Sequence, residues 1–472
     1  SPRSTGEWTA HHRGWRVSNC CELWRYRSVP YQRRRCPVGH TVTDRCATAG
    51  DAPPRVGVIG LGYVGLPLSL AMHAAGYDVV GVDIDDRTVT TLSNGRSTIS
   101  DVADESVAEA VEDGIDFRSE YGALETVDAV SICVPTPLGK SDTPDLSFVV
   151  TAVERLTTVV PDGCTVILES TVYPGATTEI IGDILSDNGL ELGEDVYVAF
   201  SPERIDPGND AYEPTTIPKV LGGVTEACGD RAAALYEPVF DEVVRVDDAT
   251  EAELVKLLEN TFRAVNIGLI NELAQVAHEL DVNIWNVIDA AATKPFGFMP
   301  FYPGPGLGGH CIPIDPVFLS WKAGQQGIET PFIELADSVN RGMPAHVVGR
   351  IVQQLNRRGV ALSNADVLVL GVAYKPDVSD TRESAAIDVI DHLTDWGATV
   401  QYHDPHVPEL DALETPYESV PLTAERLDAA DCVVIDTDHT AFDVDEILEQ
   451  ATFVFDTRNA TGEHDTDTVV RL

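Results

Sequence analysis

Arg55-Val-Gly-Val-Ile-Gly60-Leu-Gly62-Tyr63-Val64-Gly65-Leu-Pro-Leu68 decides the fold. An apolar strand runs into Gly-x-Gly-x-x-Gly and then into an apolar helix ending near Ala75. Gly76-Tyr-Asp-Val-Val-Gly-Val-Asp83 follows as a second strand ending on an acid, 18 residues past Gly65. The glycine spacing alone is weak. A strand before it, a helix after it and an acid beyond it make it specific for a dinucleotide-binding βαβ unit. Gly60 permits the tight turn, Gly62 admits a pyrophosphate, and Gly65 lets helix and strand pack. The helix N-terminus, with Tyr63 and Val64, faces the phosphates. Asp83 takes a ribose diol and repels a 2′-phosphate, which favours NAD over NADP. Arg87 is placed with the same cofactor. The plain alternative is a glycine-rich packing turn.

Further strands follow. Ala129–Val134 opens into Pro135-Thr136-Pro-Leu, Thr165–Leu168 leads to Glu-Ser170-Thr171, and Tyr197–Phe200 leads to Ser201-Pro-Glu203-Arg204. In open parallel sheets, ligands bind beyond the carboxyl ends of strands. Three polar strand ends in register are harder to dismiss as capping chemistry than one. From Thr250 the spacing predicts a helix of near thirty residues, to about Leu280, with Thr250-Glu-Ala-Glu253 as its capping box. Lys256, Asn260 and Arg263 share one stripe of it. A solvated face is the bland reading, but this face carries one of only six lysines in the chain. A helix this long also suits an interdomain spine and a dimer interface.

Tyr302-Pro-Gly304-Pro-Gly306-Leu-Gly308-Gly-His-Cys311-Ile-Pro-Ile-Asp315 is a loop by composition: helices and central strands exclude such glycine and proline density. A thiol beside bare backbone amides suits covalent acyl chemistry, although an unpaired cysteine is often an inert core residue. Residues 330–360 read helical. Ala365–Lys375 then opens a second α/β unit, with strands near 399–403, 432–436 and 452–456. The expected fold is α/β: two Rossmann-like, doubly wound parallel-sheet domains joined by a long central helix and a helical middle region. The expected divisions are a cofactor domain over 53–249, a central region with the cysteine loop over 250–350, and a second nucleotide domain over 351–472. Residues 1–52 hold three of six Trp, four of nine Cys and no Lys, and read as an artefactual or disordered extension. Their cysteine and histidine spacing matches no common zinc site.

Net charge is −44. Nine Arg against three acids fall in residues 1–50, so the remainder carries 23 basic and 73 acidic residues. Such a surface argues against nucleic-acid and anionic-membrane partners. It suits a cytoplasmic protein of a high-salt, halophilic cell, where screening mutes self-repulsion. An odd, scattered set of cysteines reads as reduced thiols. No apolar run reaches the length of a membrane span. No metal site is expected.

With these motifs in hand, the chain from about 54 to 460 resembles the UDP-glucose/GDP-mannose dehydrogenases, the nucleotide-sugar 6-dehydrogenases. The resemblance rests on Gly60-x-Gly62-x-x-Gly65, Ser170-Thr171-Val172, Ser201-Pro-Glu203, Lys256-x-x-x-Asn260-x-x-Arg263, Gly308-Gly-His-Cys311-x-x-x-Asp315 and Lys375 through Asp380-Thr-Arg382-x-Ser384, in the family's order. It implies a four-electron oxidation of a sugar C6 by two NAD⁺ through a thiohemiacetal and a thioester. By position, Cys311 is the nucleophile. Lys256 and Asn260 hold the oxyanion, Asp315 with Thr171 orders the water used as base, and Glu203 assists hydrolysis. Ser170, Pro135, Thr136 and Arg382 fall with the cofactor. Arg204, Arg263, Tyr302, Gly304, Gly306, Gly308, Lys375 and Arg458 fall with a UDP-sugar, the glycine backbone serving as an amide nest for its phosphates. The Lys256 ammonium should lower the pKa of the thiol. A homodimer or higher homo-oligomer through the central helix is implied.

Two departures bear on the sugar. The glucose enzymes carry a carboxylate where Pro207 stands, and an arginine where Pro295 stands. Both changes resemble the branch that oxidises UDP-N-acetylhexosamines. The wording of Lys294–Pro303 is most similar to the UDP-N-acetylglucosamine enzymes, then to those for UDP-N-acetylmannosamine, then to those for UDP-glucose. A sugar-nucleotide-binding protein without chemistry would lack the thiol or the lysine. A hydroxyacid dehydrogenase would need no cysteine and would make one NADH per substrate, not two.

Overall fold

The computed structural model describes residues 53–99, 101–139, 141–205, 213–309, 311–410, 417–462, 464 and 467–472. The expectations for the extension over 1–52 and for Pro207 lie outside the described residues. The first sheet has eight strands: β1 (Arg55–Ile59), β2 (Asp78–Val82), β3 (Asp116–Arg118), β4 (Ala129–Ile132), β5 (Cys164–Leu168), β6 (Val196–Phe200), β7 (Lys219–Gly223) and β8 (Val243–Arg245). Their order is β3-β2-β1-β4-β5-β6-β7-β8, parallel except at β6–β7. The order reverses between β1 and β4, and ligands bind at such a switch point. The inner strands are short apolar runs buried on both faces, because helices cover both sides.

The second sheet holds β9 (Asp366–Leu370), β10 (Thr399–His403), β13 (Cys432–Ile435), β14 (Val454–Asp456) and β15 (Val469–Arg471) in the order β10-β9-β13-β14-β15. All its pairings are parallel. A small hairpin, β11 (Glu409–Leu410) with β12 (Tyr417–Glu418), stands beside it. Its reversal lies between β9 and β13, so this unit too has a switch point.

The helices that position the site are α1 (Gly65–Ala74), α2 (Glu226–Tyr236), α3 (Ala249–Glu279), α4 (Ile284–Ala292), α5 (Asp315–Gln325) and α6 (Pro331–Arg357). The start of α3 differs from its expected cap. Asp248 is the N-cap, its carboxylate accepting the Glu251 amide at 2.9 Å, while Glu251 accepts the Asp247 amide at 3.0 Å. Glu253, expected to close a box with Thr250, points inward instead and is fully buried. The earlier Asp satisfies the first-turn amides, which frees Glu253 for a tertiary role.

Helix α6 runs beside α3 in the same direction, close enough that a Cβ on Gly268 would lie 3.2 Å from Ala336. Two buried amides join them. Asn271 Nδ2 donates to Asn340 Oδ1 at 2.9 Å, and Asn340 Nδ2 donates to the Ala264 carbonyl at 3.1 Å. Asn271 Oδ1 then accepts the Gly304 amide at 3.0 Å. Every link has a partner, so the network fixes the start of the cysteine loop rather than weakening the core.

Gly65 shows why the motif needs its last glycine. A Cβ there would sit 1.8 Å from the Gly60 carbonyl oxygen, which is backbone and cannot swing away. Gly65→Ala should therefore cost about 1–3 kcal/mol of stability, as overpacking does. Denaturant unfolding monitored on purified protein checks this; an unchanged midpoint would contradict the packing role.

Candidate active site

A cavity of about 1210 Å³ opens at the carboxyl edge of the first sheet. It exceeds the roughly 300–1,000 Å³ of ordinary small-molecule sites, as two ligands meeting end to end require. Gly60, Gly62, Tyr63, Val64 and Asp83 line one end, with Pro135, Thr136, Ser170 and Thr171 further in. Glu203, Arg204, Lys256, Asn260, Arg263, Gly308, Cys311 and Arg382 line the other.

The cofactor end fits a dinucleotide. Gly60 has φ +89°, and a Cβ would meet the Cys133 carbonyl at 2.7 Å. A Cβ on Gly62 would meet nothing within 4 Å, so the backbone there is open to a ligand. Asp83 accepts the Leu61 and Asp85 amides at 2.9 Å each, one on each oxygen. A carboxylate has about four lone-pair sites, so two remain for a diol. Ser170 turns its hydroxyl onto the Val134 carbonyl at 2.7 Å, tying β5 to β4. Arg87 does not reach the cavity. Its side chain is 92 % exposed and stands 3.5 Å from Asp85, because the first turn of its helix points to solvent.

At the other end, one face of α3 presents Lys256 and Asn260, both buried. Lys256 Nζ donates to the Glu203 carbonyl at 2.5 Å, and Asn260 Nδ2 donates to Asp315 Oδ2 at 2.6 Å. Arg263, one turn on, is exposed at the rim. Cys311 precedes α5, and its carbonyl accepts the Asp315 amide at 2.9 Å. That turn brings the thiol and Asp315 to the same α3 face. Among the described cysteines, Cys133, Cys164, Cys228 and Cys432 are buried, and Cys311 alone is partly exposed.

The electrostatics correct one expectation. Burial pushes the Cys311 thiol above its ordinary value, although Lys256 and Arg382 pull it down. The negative charges of Asp315 and Glu203 add to the burial. The resting group is a thiol and needs a base. Asp315 is pushed up to about 6 by burial, against Lys256 and Asn260. Glu203 is held below the usual carboxylate range: Lys219, the Ile205 and Arg204 amides and Lys256 together outweigh its burial.

The second sheet closes the cavity. Arg382 stacks over the Tyr63 ring at 4.9 Å and pairs with Asp380 at 2.6 Å. Gly309 donates its amide to the Arg382 carbonyl at 3.1 Å. A Cβ on Gly308 would lie 2.8 Å from the Tyr374 side chain, so the glycines serve close approach of the second domain. Tyr302, Gly304, Gly306, Lys375 and Arg458 lie outside the cavity wall. Tyr302 stacks on Trp285 and donates to Asp289 at 2.9 Å. Gly304 packs against Arg458, whose Nε donates to the Asp436 carbonyl at 2.7 Å. The Gly304 and Gly309 amides are thus already engaged, which leaves fewer of the loop's amides for a phosphate. Arg204, the candidate for a sugar contact, lines the cavity but holds Glu259 at 2.6 Å and the Pro218 carbonyl at 2.7 Å.

Sequence reading passed over three residues behind Glu203. Lys219 bridges Glu169 and Glu203, and the Tyr236 hydroxyl donates to Glu169. The signal was available: Lys219 is another of the six lysines, at the head of an apolar strand. Asp377, His406 and His439 also cluster, but His439 Nδ1 accepts the Asp377 amide and Nε2 faces Asp404 at 3.0 Å, which leaves it no lone pair for a metal.

Three family models match in succession. The NAD binding domain of the UDP-glucose/GDP-mannose dehydrogenase family matches residues 54–240, its central domain 250–342 and its UDP binding domain 368–463. A UDP-N-acetyl-D-mannosamine dehydrogenase of Methanococcus maripaludis is 36% identical over 419 residues, covering 86% of this chain and 92% of that one. A UDP-N-acetyl-D-glucosamine 6-dehydrogenase of Pseudomonas aeruginosa is 34% identical, covering 82% and 91%. The solved structure of the UDP-N-acetylmannosamine dehydrogenase of Pyrococcus horikoshii superposes with a TM-score of 0.81 at 33% identity, covering 88% and 98%.

The raised Asp315 pKa has a stability consequence. A carboxyl whose folded pKa lies above its unfolded value destabilises the fold as pH rises from the unfolded pKa through the folded one. Between about pH 4 and pH 6 the wild type should lose stability that Asp315→Asn keeps, on the order of 2–3 kcal/mol at neutral pH. Melting curves of both proteins across that range check it; parallel curves would contradict the burial cost.

Proposed function

The chain belongs to the UDP-glucose/GDP-mannose dehydrogenase family, and from its site we propose that it oxidises a UDP-N-acetylhexosamine at C6 to the uronic acid through a thioester on Cys311. It is an NAD-dependent oxidoreductase with a UDP binding domain. The observation that carries the mechanism is the convergence of Cys311, Lys256, Asn260 and Asp315 on one buried face. Bound NAD supplies the hydride acceptor for both oxidations. Asp315, titrating near 6, takes the C6 hydroxyl proton through a water beside Thr171 as the aldehyde forms. Lys256 and Asn260 hold the alkoxide charge in a low-dielectric site. Once Asp315 has passed that proton on to solvent, the Cys311 sulfur adds to the aldehyde carbon and the thiol proton passes to the freed carboxylate. Loss of the remaining C6 hydride from this thiohemiacetal leaves a thioester. Water, deprotonated by Glu203, then breaks the carbon–sulfur bond and releases carboxylate and thiol.

For the sugar, the relatives weigh against the expected order. Those named for the manno epimer reach 36% identity, and those named for the gluco epimer 34%. Both of those names carry an N-acetyl group; the apolar Phe296–Phe301 segment, expected to touch it, lies outside the cavity wall. UDP-N-acetylmannosamine is the first substrate to try, UDP-N-acetylglucosamine the second, UDP-glucose the third. A site that hydrogen-bonds the acetamide rejects a sugar lacking it by up to roughly 10⁴–10⁵.

A second copy of the chain is the proposed partner. Leu254, Leu258, Phe262, Leu269, Leu273 and Val276 form an exposed stripe at helical spacing along α3. Such a patch marks an interaction surface, and a self-complementary helix suits a twofold dimer. Leu258→Lys with Leu269→Lys should shift the species seen by light scattering to the monomer; an unchanged mass would refute the interface.

The reaction is tested with the three UDP-sugars at one pH and high salt. The expected result is two NADH per uronate and a higher kcat/KM for the N-acetyl sugars. Cys311→Ala should abolish uronate formation. Uronate at wild-type rate from that variant would end the covalent mechanism. Preference for UDP-glucose would overturn the sugar while leaving Cys311 untouched.

A further inference from the structure

Behind the cavity a chain of polar side chains crosses the first sheet without reaching solvent. Lys219 begins β7 and is 4 % exposed. Its ammonium lies 2.6 Å from Glu169 Oε2 and 3.3 Å from Glu203 Oε2. Glu169 follows β5 and is 1 % exposed. Its other oxygen accepts the Tyr236 hydroxyl from α2, which meets Ser131 Oγ of β4 at 3.1 Å. The Tyr236 and Phe240 rings flank the ammonium at 5.7 and 5.2 Å. An isolated buried ammonium is costly, and so is an isolated buried carboxylate; here each has its partner.

Glu203 and Glu169 both border the cavity, but only the Glu203 side chain is partly exposed there, Glu169 being fully buried. Its Oε1 accepts the Arg204 and Ile205 amides at 2.6 and 2.7 Å, and its Oε2 faces Lys219. Three donors leave little of the carboxylate free to rotate and about one of its lone-pair sites unengaged. Two carboxylates share one ammonium, and a pair of buried acids without it would bind a proton between them.

We propose that Lys219 is a positioning residue for Glu203: gripped from behind by Glu169 and Tyr236, its ammonium keeps the Glu203 carboxylate ionised and aimed, and so sets the rate at which the thioester on Cys311 is hydrolysed. This rests on the covalent reading above. In that step a water oxygen bonds to the thioester carbon, the carbon–sulfur bond breaks with its electron pair going to Cys311, and the water proton goes to Glu203. Nothing is oxidised or reduced. Glu203 can accept the proton only if it starts without one. The directions agree: burial raises Glu169, while Lys219 is the largest influence holding Glu203 down. The titratable and charged groups around the pair are Cys133 after β4, Glu169 after β5, Arg204 after β6, Tyr236 on α2, and Lys256 and Glu259 on α3.

The test uses the full chain with NAD and the preferred UDP-sugar, and reads pre-steady-state NADH, intact protein mass and the pH profile of the hydrolysis of the Cys311 adduct, a step in which Asp315 takes no part. Glu203→Gln is the reference and should accumulate the Cys311 adduct. Lys219→Met should do the same, with hydrolysis slowed about 10²-fold or more, the range for loss of a general base. Its acid limb should move up by at least one pH unit, with KM changed less than threefold. Lys219→Arg should recover most of the rate. Glu169→Gln removes the competing charge and leaves the ammonium to Glu203 alone, so its acid limb should move down. A merely structural role would lower activity in both variants without opposite shifts. Lys219→Met with a wild-type acid limb, or Glu169→Gln moving the limb up or not at all, would overturn the proposal. The second result decides the matter if Lys219→Met does not fold. A Glu203→Gln protein that builds no adduct would instead reject the hydrolytic role of Glu203, and the role proposed for Lys219 with it.

Discussion

The N-terminal half of α3 ties three loops to one helix face, and the site depends on that attachment. Glu253 accepts the Gly175 amide, the Thr177 amide at 2.8 Å and the Thr177 hydroxyl at 2.6 Å. One turn on, Lys256 holds the Glu203 carbonyl, and one more turn on, Asn260 holds Asp315. The loops after β5 and β6 and the turn before α5 are thereby placed by residues at i, i+3 and i+7 of a single rod. Hydrogen bonds to a charged group are worth roughly 1.5–3 kcal/mol each, enough to seat a loop. The balance is close, since burial still pushes Glu253 up to about 7. The attachment is therefore bought at the margin of ionisation.

Much of this was legible in sequence, and for a physical reason. Local rules govern the first βαβ unit: a glycine-only turn, a helix N-terminus and a strand-end acid are all set within thirty residues, and Gly60, Gly62, Gly65 and Asp83 stand where those rules put them. The stripe of Lys256 and Asn260 was legible because helical spacing is geometry. What the sequence did not show is tertiary. The cap of α3 moved to Asp248 because Glu253 had a better use across a gap of 78 residues to Gly175. The glycines of the cysteine loop read as a phosphate nest, yet two of their amides serve Asn271 and Arg382, partners no local pattern reveals. Lys219 was invisible for the same reason: its value lies in two carboxylates from other strands.

The direction of the Cys311 shift follows from competition between neighbours. A lysine beside a thiol argues for a thiolate when nothing else is charged. Here Asp315 and Glu203 stand near the same sulfur, and burial disfavours any new anion. A resting thiol is then the cheaper state. It also resists oxidation, whose susceptibility follows thiolate character.

That state suits the order of the chemistry. In the proposed mechanism the first oxidation uses Asp315 as base and no sulfur nucleophile; a standing thiolate would add another negative charge where an alkoxide must form. Once the aldehyde exists, proton transfer from sulfur and attack on carbon can proceed together, and the charge moves onto an oxygen that Lys256 and Asn260 already face. A single carboxyl near 6 can then serve both steps, accepting first from the alcohol and later from the thiol, provided its proton leaves between them. Glu203, held ionised chiefly by Lys219 from outside the cavity, is not drawn into that exchange. The two carboxyls differ in role because their surroundings push them apart: Lys256 and the Asn260 amide do not offset the burial of Asp315, whereas Lys219, two backbone amides and Lys256 outweigh that of Glu203.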